Sequence, residues 1–195
     1  MSKAKLGRPR SEKSKEAILS ATHALLSETM GTGLTIEAIA RRAKVGKPTI
    51  YRWWPGVADI VLEVVLSQAN ASITVSTSDS LQETLGQFLR ESMNAIVNWG
   101  GVHLRFLVAH AQKDEAFRDR FRDNFTAKRR AVLKSIFAQA MERGEIGSEQ
   151  NVEILVDMVF GAMWYRLLIG HAPANETFAD DLTEAIIRLV QNPPV

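Results

Sequence analysis

Apolar residues recur along this chain at intervals of three and four, and no segment alternates as a half-buried strand would. The pattern predicts an all-α protein. Ile18, Ala21, Leu25 and Leu26 share one face of a helix near residues 11–30, which Gly31 and Gly33 close. Thr35 reads as the N-cap of a second helix that runs to about Ala43, with Leu34 and Ile39 placed for an apolar contact across the cap. Three residues, Lys44 to Gly46, then separate it from a third helix in "VGKPTIYRWW", where Gly46 can cap and Pro48 sits in the first turn.

Beyond Pro55 and Gly56 a fourth helix is predicted from Val57 to about Ala71, followed by a Ser/Thr-rich loop, "SITVSTSDS". Further helices are predicted near 81–97, 102–112, 114–143, 152–169 and 178–191, with "GGV", "RGEIGSEQ" and "GHAPANE" as breaks. About nine helices are therefore expected. They divide into an N-terminal three-helix domain over residues 1–56, with a basic arm, and a helical domain over residues 57–195. The stretch "VEILVDMVFGAMWYRLLI" is apolar on nearly all sides, which implies burial on both faces. Glu153, Asp157 and Arg166 argue against a membrane span there.

Composition sharpens this division. The 195 residues include no cysteine, which excludes disulfides, thiolate metal sites and cysteine nucleophiles. No apolar h-region follows the basic start, so a soluble, cytoplasmic protein is expected, with no membrane partner. The net charge of +2 conceals an asymmetry: residues 1–55 carry eleven Lys/Arg against four Asp/Glu, and residues 56–195 carry thirteen against eighteen. Such a split suggests that the basic segment meets a polyanion.

A short helix, a three-residue turn and a second short helix make a helix-turn-helix, whose second helix enters the DNA major groove while the first braces it. Ala40 is small where the helices must approach, Val45 can plug the core, and Ile50 and Trp54 can hold the second helix down. Lys47, Pro48, Thr49, Tyr51 and Arg52 are left to face outward. Lysine and arginine suit phosphates and guanine edges, threonine and tyrosine offer hydroxyls, and proline can touch a thymine methyl. Upstream, "LGRPR" places Arg8 and Arg10 on a proline-stiffened arm suited to a narrow minor groove.

Residues from about Arg10 to Ile60, above all "LTIEAIARRAKVGKPTIYRWWPGVADI", resemble the DNA-binding domain of the TetR family of bacterial transcriptional regulators. The resemblance implies a phosphate contact near Thr35, base and backbone contacts from Lys47 to Arg52, and a core aromatic at Trp54. It implies further that the last two helices pair with their symmetry mates, giving a homodimer on an inverted-repeat operator in double-stranded DNA. Two positions depart from the family pattern. Lys44 stands where glycine is common, which asks a lysine to adopt positive φ, and Val57 stands where many members carry a phosphate-binding lysine.

In the second domain Met93, Val97, Trp99, His103, Phe106, Leu107, His110, Phe125, Phe160 and Trp164 form a plausible lining for an apolar pocket with polar handles. The expected occupant is a small apolar or aromatic inducer, bound through Trp99, His103, Phe106, His110, Phe125 and Trp164. Apolar stripes on the last two helices, including Leu155, Met158, Ala162, Leu182, Ile186 and Leu189, are best buried against a second copy. No cofactor motif or metal-ligand spacing occurs, and no catalytic residue is assigned. The charged run "KDEAFRDRFRDNFTAKRR" reads as a solvated helix face over Phe117, Phe121 and Phe125. The favoured function is a ligand-responsive repressor; an activator, a repressor without a ligand, and a helical enzyme using His103 and His110 stay open at this point.

Overall fold

A computed structural model describes residues 12–69 and 80–191. Its elements are α1 (Glu12–Thr29), α2 (Ile36–Ala43), α3 (Lys47–Tyr51), α4 (Val57–Ala69), α5 (Leu81–Ala95), α6 (Gly101–Ala111), α7 (Glu115–Phe121), α8 (Ala127–Glu142), α9 (Val152–Ile169) and α10 (Glu176–Gln191). No strand occurs among the described residues, so the fold is all-α. The chain divides into two compact units, Met1–Val64 and Val65–Val195, so the division falls inside α4 where the sequence placed it just before Val57.

The N-terminal unit closes on Ile18, Ile36, Ile39, Ala40, Ile50, Trp54 and Ile60, drawn from all four of its helices. Thr35 caps α2 as its spacing predicted: its Oγ1 accepts the Ala38 N–H at 3.1 Å. At the other end of α2, Lys44 is left-handed, with φ 54° and ψ 42°. The Val45 N–H donates to the Ala40 carbonyl at 3.0 Å and the Lys44 N–H to that of Arg41 at 3.3 Å. This is a Schellman turn with lysine in the position that glycine normally fills. A left-handed L-residue costs roughly 1–2 kcal/mol, of which glycine's extra unfolded freedom returns about 0.5–1 kcal/mol. Lys44→Gly should therefore stabilise the N-terminal unit by about 0.5–1 kcal/mol, read as a higher urea midpoint; a lower midpoint would show that the turn is unstrained.

In the C-terminal unit α5 lies along α10 and packs on α8, which packs in turn on α9. Phe88, Leu89, Met93, Ile136, Phe137, Val156, Val159 and Ile186 belong to the core they share. Ser80, the one described residue of the predicted Ser/Thr-rich loop, caps α5 in a capping box with Glu83. The break predicted at "GGV" does not occur. A π-helical turn, Ile96–Gly100, carries α5 into α6 without interruption, and a second, Arg122–Thr126, joins α7 to α8. The Gly101 N–H donates to the Ile96 carbonyl five residues back, and a Cβ on Gly101 would stand 2.8 Å from that oxygen. Glycine at this point permits the wide turn instead of ending the helix. Counting joined segments once, the described residues form eight helical rods where about nine were expected.

Candidate nucleic-acid interface and internal cavity

α2 and α3 cross on the N-terminal core with Ile39, Ala40 and Ile50 inward. α3 is short: Pro48 sits harmlessly in its first turn, and the helix ends at Tyr51, ahead of the Trp54 expected from sequence. Ile50 is fully buried, whereas Lys47, Pro48, Tyr51 and Arg52 are exposed and Thr49 is half-buried. Four of the five side chains expected to face outward are thus exposed, and Thr49 is partly so. Thr35 is also exposed, at the head of α2. Arg8 and Arg10 lie outside the described residues. Val57 is half-buried and packs against the core at the start of α4.

Two ion pairs brace this face. Arg42 donates to both carboxylate oxygens of Glu28, at 2.7 Å each, tying α2 to α1. Lys47 Nζ donates to Glu37 Oε1 at 2.8 Å, tying the head of α3 to α2. The bond to Lys47 holds the Glu37 carboxyl below its usual pKa and raises that of Lys47. Glu37 is thus held in its charged form beside α3, where it would compete with a DNA phosphate for Lys47. Glu37→Gln is expected to tighten binding to any duplex by several-fold and to steepen its dependence on salt; weaker binding in a filter or anisotropy assay would contradict this competition.

Beneath the face, Trp54 is buried and its indole Nε1 donates to Glu63 Oε2 at 2.5 Å. Lys15 meets Glu63 Oε1 at 2.6 Å and lies 5.1 Å from the Trp53 ring centroid. Glu63, on α4, thereby ties α1 to Trp54, three residues beyond the end of α3.

The C-terminal unit contains a partly open cavity of about 70 Å³. Its walls are mostly apolar and include Ile96, Trp99, Leu104, Phe125, Phe160, Met163, Trp164 and Leu167. Three of the six residues expected to bind a ligand line it: Trp99, Phe125 and Trp164. The other three do not. His103 is fully buried in α6 with its ring edge-on to Trp99, at 6.1 Å between centroids. Phe106 stacks on His110 at 6.4 Å, and His110 meets Phe117 edge-on at 4.9 Å and lies 3.7 Å from Asp114. The two histidines thus fall within separate aromatic contacts outside the cavity lining.

Sequence reasoning missed Glu91, Ser92 and Arg129, which supply polar atoms to the cavity. Arg129 was read as part of a solvated face, yet it extends the Phe117, Phe121, Phe125 spacing by one more step of four. Its Nη2 donates to Ser92 Oγ at 2.7 Å and its guanidinium lies 5.1 Å from the Phe88 ring centroid. Burial pushes the Arg129 pKa down to about 10, against a smaller upward pull from Glu91.

The residues expected at a dimer interface separate in the same way. Met158 and Leu189 are exposed, Ala162 and Leu182 are half-buried, and Leu155 and Ile186 belong to the unit's own core. The outer face of α9 instead shows Ile154, Met158, Tyr165 and Leu168, with Gly161 in the middle of the row. Ile169 follows at the helix end, 63% exposed. Among the described residues no helix is long and apolar enough to cross a membrane, and no cluster of three or more metal-ligating side chains occurs.

A braced short helix presenting basic and hydroxyl side chains, followed by a helical unit around an apolar cavity, defines a helix-turn-helix DNA-binding regulator with a separate C-terminal unit. Comparison with known proteins places it further. Residues 18–64 match the bacterial regulatory proteins of the tetR family, and residues 75–186 match the tetracyclin repressor-like C-terminal domain. The chain belongs to the TetR family of transcriptional regulators. It is 31% identical over 187 residues to the HTH-type transcriptional regulator YdeS of Bacillus subtilis, covering 96% of this chain and 94% of that one. It is 26% identical over 143 residues to the HTH-type transcriptional regulator AqdR of Rhodococcus erythropolis, covering 73% and 68% respectively. The crystal structure of the TetR family transcription regulator SCO0332 superposes with a TM-score of 0.74 at 28% identity, over 94% of this chain and all of that one.

Proposed function

We propose that this regulator is a cytoplasmic homodimeric repressor that occupies an inverted-repeat operator and releases it when a small molecule fills the C-terminal cavity. The observation that carries the DNA-binding half is the polarity of α3: Ile50 is fully buried while Lys47, Pro48, Tyr51 and Arg52 stand in solvent around it. A core helix has no use for that display, and a major groove matches it in size and hydrogen-bonding chemistry. Tyr51 is 55% exposed, which a purely structural tyrosine of this unit would not need.

Dimerisation is supported by the row Ile154, Met158, Gly161, Tyr165 and Leu168, spaced four, three, four and three residues apart. That spacing is the seam of two packed helices, and nothing lies within 4 Å of a Cβ built at Gly161, so a second helix can approach closely. On α10, Leu182 is half-buried and Ala185 and Leu189 are exposed, so this helix also has apolar side chains for a second copy to cover. A two-fold axis through such a seam would set two copies of α3 on half-sites roughly 34–36 Å apart.

An apolar or aromatic occupant of the cavity would act through its different affinity for the DNA-bound and released states. The reading is tested by transcription in vitro from a promoter carrying the DNA that the protein selects. Falling transcript with added protein is expected; rising transcript would make it an activator and overturn the repressor half.

A further inference from the structure

We propose that the cavity takes an amphiphile with one carboxylate, its headgroup seated on Arg129 and its alkyl or aryl body packed among Trp99, Phe125, Phe160 and Trp164. The proposal rests on the reading of the C-terminal unit as a sensor and specifies what is sensed.

The first support is the contrast between Arg129 and its neighbours. Arg118 pairs with Glu115, Arg122 with Asp119 and Asp123, and Arg130 with Glu153 and Asp157. Those arginines satisfy their charge within the protein. Arg129, one residue before Arg130, turns inward to a mostly apolar cavity and makes no ion pair with a carboxylate of the described residues. A guanidinium in apolar surroundings is costly unless a counter-charge meets it.

The second support is that the guanidinium is held rather than loose. Ser92 Oγ donates to the Phe88 carbonyl at 2.7 Å and accepts from Arg129 Nη2 at 2.7 Å, so the serine proton is already committed and only its lone pairs face the arginine. Ser92 is buried and the guanidinium lies over the Phe88 ring. One edge of the fork is thereby fixed, and its other N–H donors are left for a planar acceptor that can take two bonds at once. A carboxylate has that shape.

The third support sets the charge and the body. Glu91 also lines the cavity, without pairing with Arg129, and its negative field disfavours a doubly charged phosphate where a single carboxylate is tolerated. Trp99 and Phe125 each belong to one of the two π turns, so both irregular turns of the helical rods put an aromatic ring on this wall. Large rigid rings around one fixed cation make a site for a long apolar body with an acidic end.

The test is calorimetric binding of decanoate and naphthoate to the full chain, against decanol, naphthol and decylammonium. Each acid should bind roughly tenfold or more tightly than its alcohol. Arg129→Gln should erase that preference and leave alcohol affinity within a few-fold, while Arg129→Lys, which keeps the charge and loses the fork, should retain part of it. The wild-type comparison stands even if a variant folds poorly. Equal affinity for acid and alcohol, tighter binding of decylammonium, or a preference that survives in folded Arg129→Gln would overturn the proposal while leaving the sensor reading intact. Binding of none of the five would overturn both.

Discussion

Met158→Glu is expected to make the protein monomeric at micromolar concentration and to weaken operator binding by at least about a hundredfold. Met158 sits in the exposed α9 row and is 44% accessible, with Ile154 one turn before it at 52% and Tyr165 two turns after it at 59%. Exposed apolar side chains at coiled-coil spacing are what the proposed dimer seam would bury. A glutamate there would be desolvated in the proposed seam, at a cost of several kcal/mol. Separated monomers lose the gain of binding both half-sites through one molecule. The core lies on the opposite side of α9, through Leu155, Val156, Val159 and Met163, so the fold should persist. Ultracentrifugation reads the mass, and a stable dimer of the variant would move the interface elsewhere.

Trp54→Ala is expected to destabilise the N-terminal unit by about 3–5 kcal/mol. The ring is 4% exposed, sits in the core with Ile50 and Ile60, and its indole N–H holds Glu63, which also pairs with Lys15. Removing it empties the core volume and frees Glu63 from one of two partners. A unit of this size holds only a few kcal/mol in total, so the variant should populate an unfolded N-terminal unit at growth temperature and lose operator binding. The C-terminal unit should keep its own thermal transition. A variant that melts within 1 kcal/mol of the parent would show that Trp54 contributes little, contrary to its burial.

Much of the N-terminal unit was legible because its signals are local. Thr35 as cap, Leu34 and Ile39 across it, Pro48 in the first turn and the left-handed demand on Lys44 each depend on a few neighbouring residues. The C-terminal unit depends on features that period counting cannot see. A π turn adds a residue and rotates the following helix by about 100° relative to an unbroken one. That displaces side chains placed by regular spacing, and His103, Phe106 and His110 of α6, which follows such a turn, do not line the cavity. Gly100 and Gly101 were read as breakers because glycine marks both a helix end and a close backbone approach, and only the fold decides between them. α9 is apolar all round, so no periodicity separates the buried Leu155 from the exposed Ile154 beside it. Arg129 was hidden by the ion-paired arginines around it.

The most direct measurement is selection from a random pool of double-stranded DNA by the purified protein at two salt concentrations, with sequencing of what is retained. Enrichment of one inverted repeat with half-sites about one helical turn apart, persisting at the higher salt, is expected. Weak binding that vanishes with salt and enriches no sequence would contradict it, leaving the basic N-terminal unit as a general polyanion binder.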